Sequence, residues 1–106
     1  MPSLVINAPQ KQVDQNNKKS FGETLKSGLG EGYAINKKIF RRVHPGCIVV
    51  LLSKDLKRRG EGKLVRLIPT FKTKNYIQRY NVVIKNLKEV SYKPVALNRN
   101  GVAIID

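Results

Sequence analysis

Six consecutive apolar residues, Cys47 to Leu52 in "CIVVLL", constrain this chain more than any other stretch. A strand turns alternate side chains to opposite faces, so an unbroken apolar run has to be covered on both. Launched by the turn "HPG" (His44, Pro45, Gly46), the run reads as a central strand. It is followed by "SKDLKRRGEGK", residues 53 to 63, and then by a second apolar stretch, "KLVRLIP". Leu64 and Arg66 fall on one face of that second strand, Val65 and Leu67 on the other, and Pro69 is expected to end it. Two such strands joined by a basic, glycine-containing segment predict a hairpin with residues 53 to 63 as its loop.

The rest of the chain supplies more short strands and little helix. "SLVIN", Ser3 to Asn7, reads as a first strand, and the amide-rich residues 8 to 19 as a flexible loop. "SFGETLKSG" carries a capping box, Ser20 with Glu23, and Gly28 as a helix stop. "GLGEG" lacks the Gly-Lys-Ser/Thr ending of a phosphate loop and reads as a mobile connection. In "NKKIFRRV" Asn36 is the expected N-cap of a second helix, with Ile39, Phe40 and Val43 inward and Lys37, Lys38, Arg41 and Arg42 outward. "FKTKNY" is a second basic loop. "IQRYNVVIKNLKEV" is the longest strand, with Tyr80, Val82 and Ile84 on one face and a bulge at Asn86. "SYKPVAL" and "VAIID" flank the hairpin turn "NRNG". The reading is a single domain over residues 1–106, mainly β (α+β): a small mixed-topology barrel with one or two short helices beside it.

Charge narrows the partner. Lys and Arg number 21 against 7 Asp and Glu, a net charge of +14 with a pI near 10.3. Self-repulsion of that size opposes compactness, so an anionic partner is expected. Nucleic acid, RNA or DNA, fits first, because each neutralised phosphate releases counterions. A membrane surface would call for a basic amphipathic helix or a lipidation signal, and neither is found. An acidic protein surface remains open. Cys47 is the sole cysteine and begins an apolar run, which suits a buried small hydrophobe and leaves no cysteine cluster for zinc. With no leader-like start and no run of about 20 apolar residues, a cytoplasmic protein is expected.

Catalysis finds little to build with: one histidine, one cysteine and seven scattered carboxylates. His44 stands before Pro-Gly in a turn, and Asp55 and Glu61 balance the charge of a basic loop rather than converge on a metal. The expectation is no enzyme, no metal and no cofactor. The basic residues fall in three clusters, 37 to 42, 54 to 66 and 72 to 79. Phosphate contacts are expected from Arg41, Arg42, Lys54, Lys57, Arg58, Arg59 and Lys63, with Gly60 and Gly62 letting the backbone approach the ligand. Tyr76 and Tyr80, interleaved with cations, are the stacking candidates for unpaired bases.

"IFRRVHPGCIVVLLSKDLKRRGEGKLVRLIPT" continuing to "RYNVVIKNLKEVSYKP" resembles the barrel core of the PUA-like superfamily, especially EVE and YTH-type domains. The resemblance implies a barrel that binds RNA or modified-base nucleic acid in a pocket beside it; the lack of Trp departs from that pattern. "GCIVVLLSKDLKRRGEGKLVRLIP" is similar to the KOW motif of SH3-like barrels, without its usual glycine spacing. That similarity implies an RNA-binding protein of ribosomal type. Both place residues 54 to 63 at or near nucleic acid. The expectation is thus a non-catalytic nucleic-acid-binding domain on a small PUA-like or SH3-like β-barrel. The alternatives are a mobile-element inhibitor or adaptor on an acidic protein, and a toxin-like ribonuclease using His44.

Overall fold

The computed structural model describes residues 2–8, 20–53, 57–72 (backbone alone at 71 and 72), 78–92 and 102–105. In chain order the described elements are β1 (Ser3–Ala8), α1 (Phe21–Ser27), β2 (Leu29–Ala34), α2 (Lys37–Arg42), β3 (Ile48–Ser53), β4 (Arg59–Lys72), β5 (Gln78–Val90) and β6 (Val102–Ile105). The strands join in one sheet, ordered β2-β5-β4-β3-β1-β6 and curled into a half-barrel, so the mainly β expectation holds. The topology is mixed: β1 runs parallel to β3, and the remaining pairs are antiparallel.

The apolar run does what its composition demands. β3 lies between β4 and β1, with Val49 and Leu51 on the inside of the curl and Val50 and Leu52 on the outside, all at most 1% exposed. The inner cluster draws Leu4, Ile6, Tyr33, Leu64, Val82 and Val102 from the other five strands, and α1 and α2 add Phe21 and Ile39. A smaller outer cluster joins Val5 to Val50 and Leu52. Cys47 is wholly buried in the inner cluster as a free thiol, which suits the small hydrophobe expected.

Local chemistry sets both helices. Ser20 Oγ accepts from the Glu23 N–H (3.3 Å), the expected N-cap bond, and donates to Glu23 Oε1 (3.1 Å), so Glu23 reaches back to the cap's hydroxyl. Gly28 ends α1 at φ 70°, where a Cβ would lie 2.6 Å from the Ile84 carbonyl oxygen. Asn36 Oδ1 caps α2 by accepting from the Ile39 N–H at 2.9 Å. Phe40 departs from expectation: it is 44% exposed, while Ile39 and Val43 are buried. Four residues apart, Ile39 and Val43 share one helix face, and the next position is turned about 100° away from them.

Three further expectations are corrected. "GLGEG" is not a connection but most of β2, whose ladder to β5 bulges between Gly30 and Tyr33. There the Gly32 N–H donates to Asn81 Oδ1 and the Gly32 carbonyl accepts from Arg79 Nη1, so β5 side chains replace the missing ladder bonds. Pro69 does not end β4, which runs to Lys72. On the β3 side the bonding ends at Leu64, whose N–H donates to the Cys47 carbonyl and whose carbonyl accepts from the Gly46 N–H, so beyond it β4 pairs with β5 alone and a residue without an N–H is tolerated. The supposed loop is also much shorter than 53–63: Arg59 to Lys63 pair in register with Leu52 to Ile48. Asn86 sits at φ 56° where Lys85 and Lys88 face Lys63 and Glu61, the bulge its sequence indicated. Ala8, read as the start of the flexible loop 8–19, is instead the fully buried last residue of β1; residues 9–19, 73–77 and 93–101, read as loops and as part of a terminal hairpin, lie outside the described residues. β6 is joined to β1.

Candidate functional site

The turn after β3 is built around Ser53. Its Oγ accepts from the N–H groups of Lys57 (3.2 Å) and Arg58 (3.0 Å), and its own N–H donates to the Arg58 carbonyl at 3.0 Å. Gly60 and Gly62 belong to β4 and face inward. A Cβ on Gly62 would meet Ile84 Cγ2 at 2.6 Å and the Lys85 carbonyl oxygen at 2.9 Å. These glycines bring β5 and α1 close to β4; the expected role of admitting a ligand is corrected.

The basic residues of the turn divide. Arg58 folds back against the domain: Nε and Nη2 donate to the two carboxylate oxygens of Glu89 at 2.9 and 2.8 Å. Its guanidinium also lies 4.7 Å from the centroid of the Phe21 ring. Arg59 Nε donates to Glu61 Oε2 at 2.9 Å, and its side chain is 12% exposed. Lys57 is exposed, as are Arg41 and Arg42 on α2. Lys54 and Tyr76 lie outside the described residues. The hydrogen bonds from Arg58 hold the Glu89 carboxyl below its ordinary range. A depressed carboxyl stabilises the fold above the unfolded group's value and loses that contribution as pH falls through the folded value. Replacing Glu89 by Gln is therefore expected to lower stability at neutral pH and to flatten the loss between about pH 5 and 3. Urea melts across that range read both effects.

Lys63 leads to a surface that residue order alone does not display. The register sets Ile48, Lys63 and Lys85 in one row across β3, β4 and β5, Val50, Glu61 and Lys88 in the next, and Leu52, Arg59 and Val90 in the third. All nine are on the outside of the curl, opposite the inward Gly60 and Gly62. Lys63, Lys85 and Lys88 are exposed, and Lys63 and Lys85 stand directly opposite each other. Cβ atoms of such pairs are about 5 Å apart, and like charges there oppose folding. Glu61 is the one carboxylate among four cations, and it is bonded to Arg59. Lys85 and Lys88 were not among the expected contacts. The signal lay in the Asn86 bulge, which shifts the alternation by one and returns Lys88 to the face of Lys85.

The second feature lies by α2. The exposed Phe40 ring stacks on Tyr80, centroids 5.2 Å apart and planes at 26°. Phe40 also forms one wall of a pocket of about 170 Å³ with Val43, Pro45, Leu64, Leu67 and Arg66. Tyr80 is thus engaged with an aromatic partner, and Phe40 presents the exposed ring. His44 is exposed in its turn, its carbonyl accepting from the Cys47 N–H at 3.1 Å. Among the described residues no three His, Cys, Asp or Glu side chains gather as metal ligands. Among those residues no helix is long and apolar enough to cross a membrane. Comparison with family models, with curated proteins and with solved structures finds no match for this chain.

Proposed function

We propose that this domain binds nucleic acid through phosphate contacts on the outer face of β4 and β5, without itself catalysing a reaction. The observation that carries the reading is Lys63 set directly against Lys85 with Lys88 beside them, in a chain of net charge +14. A like-charged pair across a ladder works against folding, and a polyanion laid over it turns that cost into affinity. Arg41 and Arg42 on α2 extend the positive surface at a second place. Arg58, held by Glu89, has a structural part as well. The sequence resemblance to PUA-like and KOW barrels implies a partner of the same class, and Lys54, Lys57 and Lys63 remain contact candidates within this proposal.

The test is fluorescence anisotropy with labelled single-stranded RNA, single-stranded DNA and duplex DNA over a salt series. Affinity that falls linearly with the logarithm of salt concentration supports the proposal, and the preferred strand names the partner class. Binding to none of the three at low salt, with capture by an acidic peptide instead, would transfer the surface to a protein partner.

A further inference from the structure

We infer that the pocket between α2 and β4 is a subsite for one unstacked base of a single strand, with the adjoining phosphate at Arg66. The inference rests on the nucleic-acid reading above and adds a contact that charge cannot supply. Phe40 is 44% exposed although it belongs to an otherwise amphipathic helix. Its ring is held in place by the stack on Tyr80, so a flat ligand meets a platform already ordered. Ordering in advance spares a ligand the entropy of fixing a mobile side chain.

Size and lining select the ligand. The pocket's volume of about 170 Å³ is close to that of an engineered apolar cavity, roughly 150 Å³, that accepts benzene, so a six-membered ring fits. Val43, Pro45, Leu64 and Leu67 give its walls apolar surface, and among the described residues Arg66 alone contributes a charged group. An apolar slot with Arg66 at its edge matches a strand that carries flat rings on an anionic backbone. Apart from Arg66 the described lining residues offer no polar side chain to read a base edge, so the subsite accepts a base without selecting its identity.

The test compares two labelled decamers with identical phosphates, oligo-dT and a wholly abasic strand, on the full chain. Wild type should bind oligo-dT about 5- to 150-fold more tightly, the range that stacking of one base gives. Phe40→Ala should remove that preference while leaving affinity for the abasic strand and its salt dependence unchanged. Phe40→Leu, which keeps apolar volume, should also lose most of the preference, and it carries the test if thermal melts show the alanine variant unfolded. Equal wild-type affinity for both decamers, or full preference in Phe40→Leu, overturns the subsite and leaves the phosphate-binding face standing. Failure of wild type to bind either decamer overturns the subsite, and the phosphate-binding face falls with it only if RNA and duplex DNA also fail to bind at low salt.

Discussion

Replacing Gly62 by alanine is expected to destabilise the domain by about 3 kcal/mol, at the upper end of what overpacking costs. The new Cβ would lie 2.6 Å from Ile84 Cγ2, 2.9 Å from the Lys85 carbonyl oxygen and 3.0 Å from Leu87 Cα. Two of those three atoms are backbone, so no change of rotamer relieves the contact, and the bulge at Asn86 would have to move. For a domain of this size that is a large share of a total stability of about 5–15 kcal/mol. It corresponds to a melting temperature lower by roughly 12–20 °C. Gly60→Ala should cost far less, because its nearest atom is Leu25 Cδ1 at 3.2 Å, the end of a flexible side chain. Gly22, in α1 with nothing within 4 Å, should accept alanine with no loss or a small gain in stability. Thermal melts of the three variants followed by far-ultraviolet circular dichroism check the order. A Gly62→Ala melt within a few degrees of wild type would mean that β4 and β5 are not packed as described.

The variant Lys63→Ala/Lys85→Ala is expected to move stability and binding in opposite directions. Removing two like charges that face each other across the ladder should raise stability by a few tenths of a kcal/mol. On the proposed function, the same change removes two phosphate contacts. The slope of log affinity against log salt should become shallower by about 2, with weaker binding to every sequence tested. A merely structural pair gives the first effect without the second. Anisotropy titrations at several salt concentrations, set beside urea melts of the same two proteins, separate the cases. An unchanged slope would remove this face from the interface.

Much of this architecture was legible in residue order. Alternation and turn chemistry are local, and they placed β1, α1, α2, β3 and β5 with the caps at Ser20, Gly28 and Asn36. The Asn86 bulge was also visible, because the apolar phase breaks there. What escaped depended on partners distant in sequence. "GLGEG" forms a strand because Gly30 admits the ring of Tyr33, whose Cε2 would lie 2.9 Å from an added Cβ, and because β5 side chains bind Gly32. Gly60 and Gly62 look like loop residues until β5 is laid against them. Arg58 looks like a projecting cation until Glu89 and Phe21, both remote in sequence, come beside it. The candidate surface was half legible for the same reason: Lys63 was expected, and Lys85 and Lys88 join it only through the register.

The parallel seating of β1 governs how the sheet is assembled in time. β4 and β5 are close in sequence and are expected to close their contacts first, whereas β1 joins Leu4 to Val49 on one side and Ser3 to Ile105 on the other. Each of those pairings closes a long loop before it returns any energy, which makes such strands slow to settle. Until β1 is seated, the apolar faces of Val49, Val50, Leu51 and Leu52 are open to any other chain, the condition under which sheets aggregate. Net charge of +14 on every copy opposes that encounter through the whole interval. The same excess of lysine and arginine that burdens the finished fold thus protects the unfinished one.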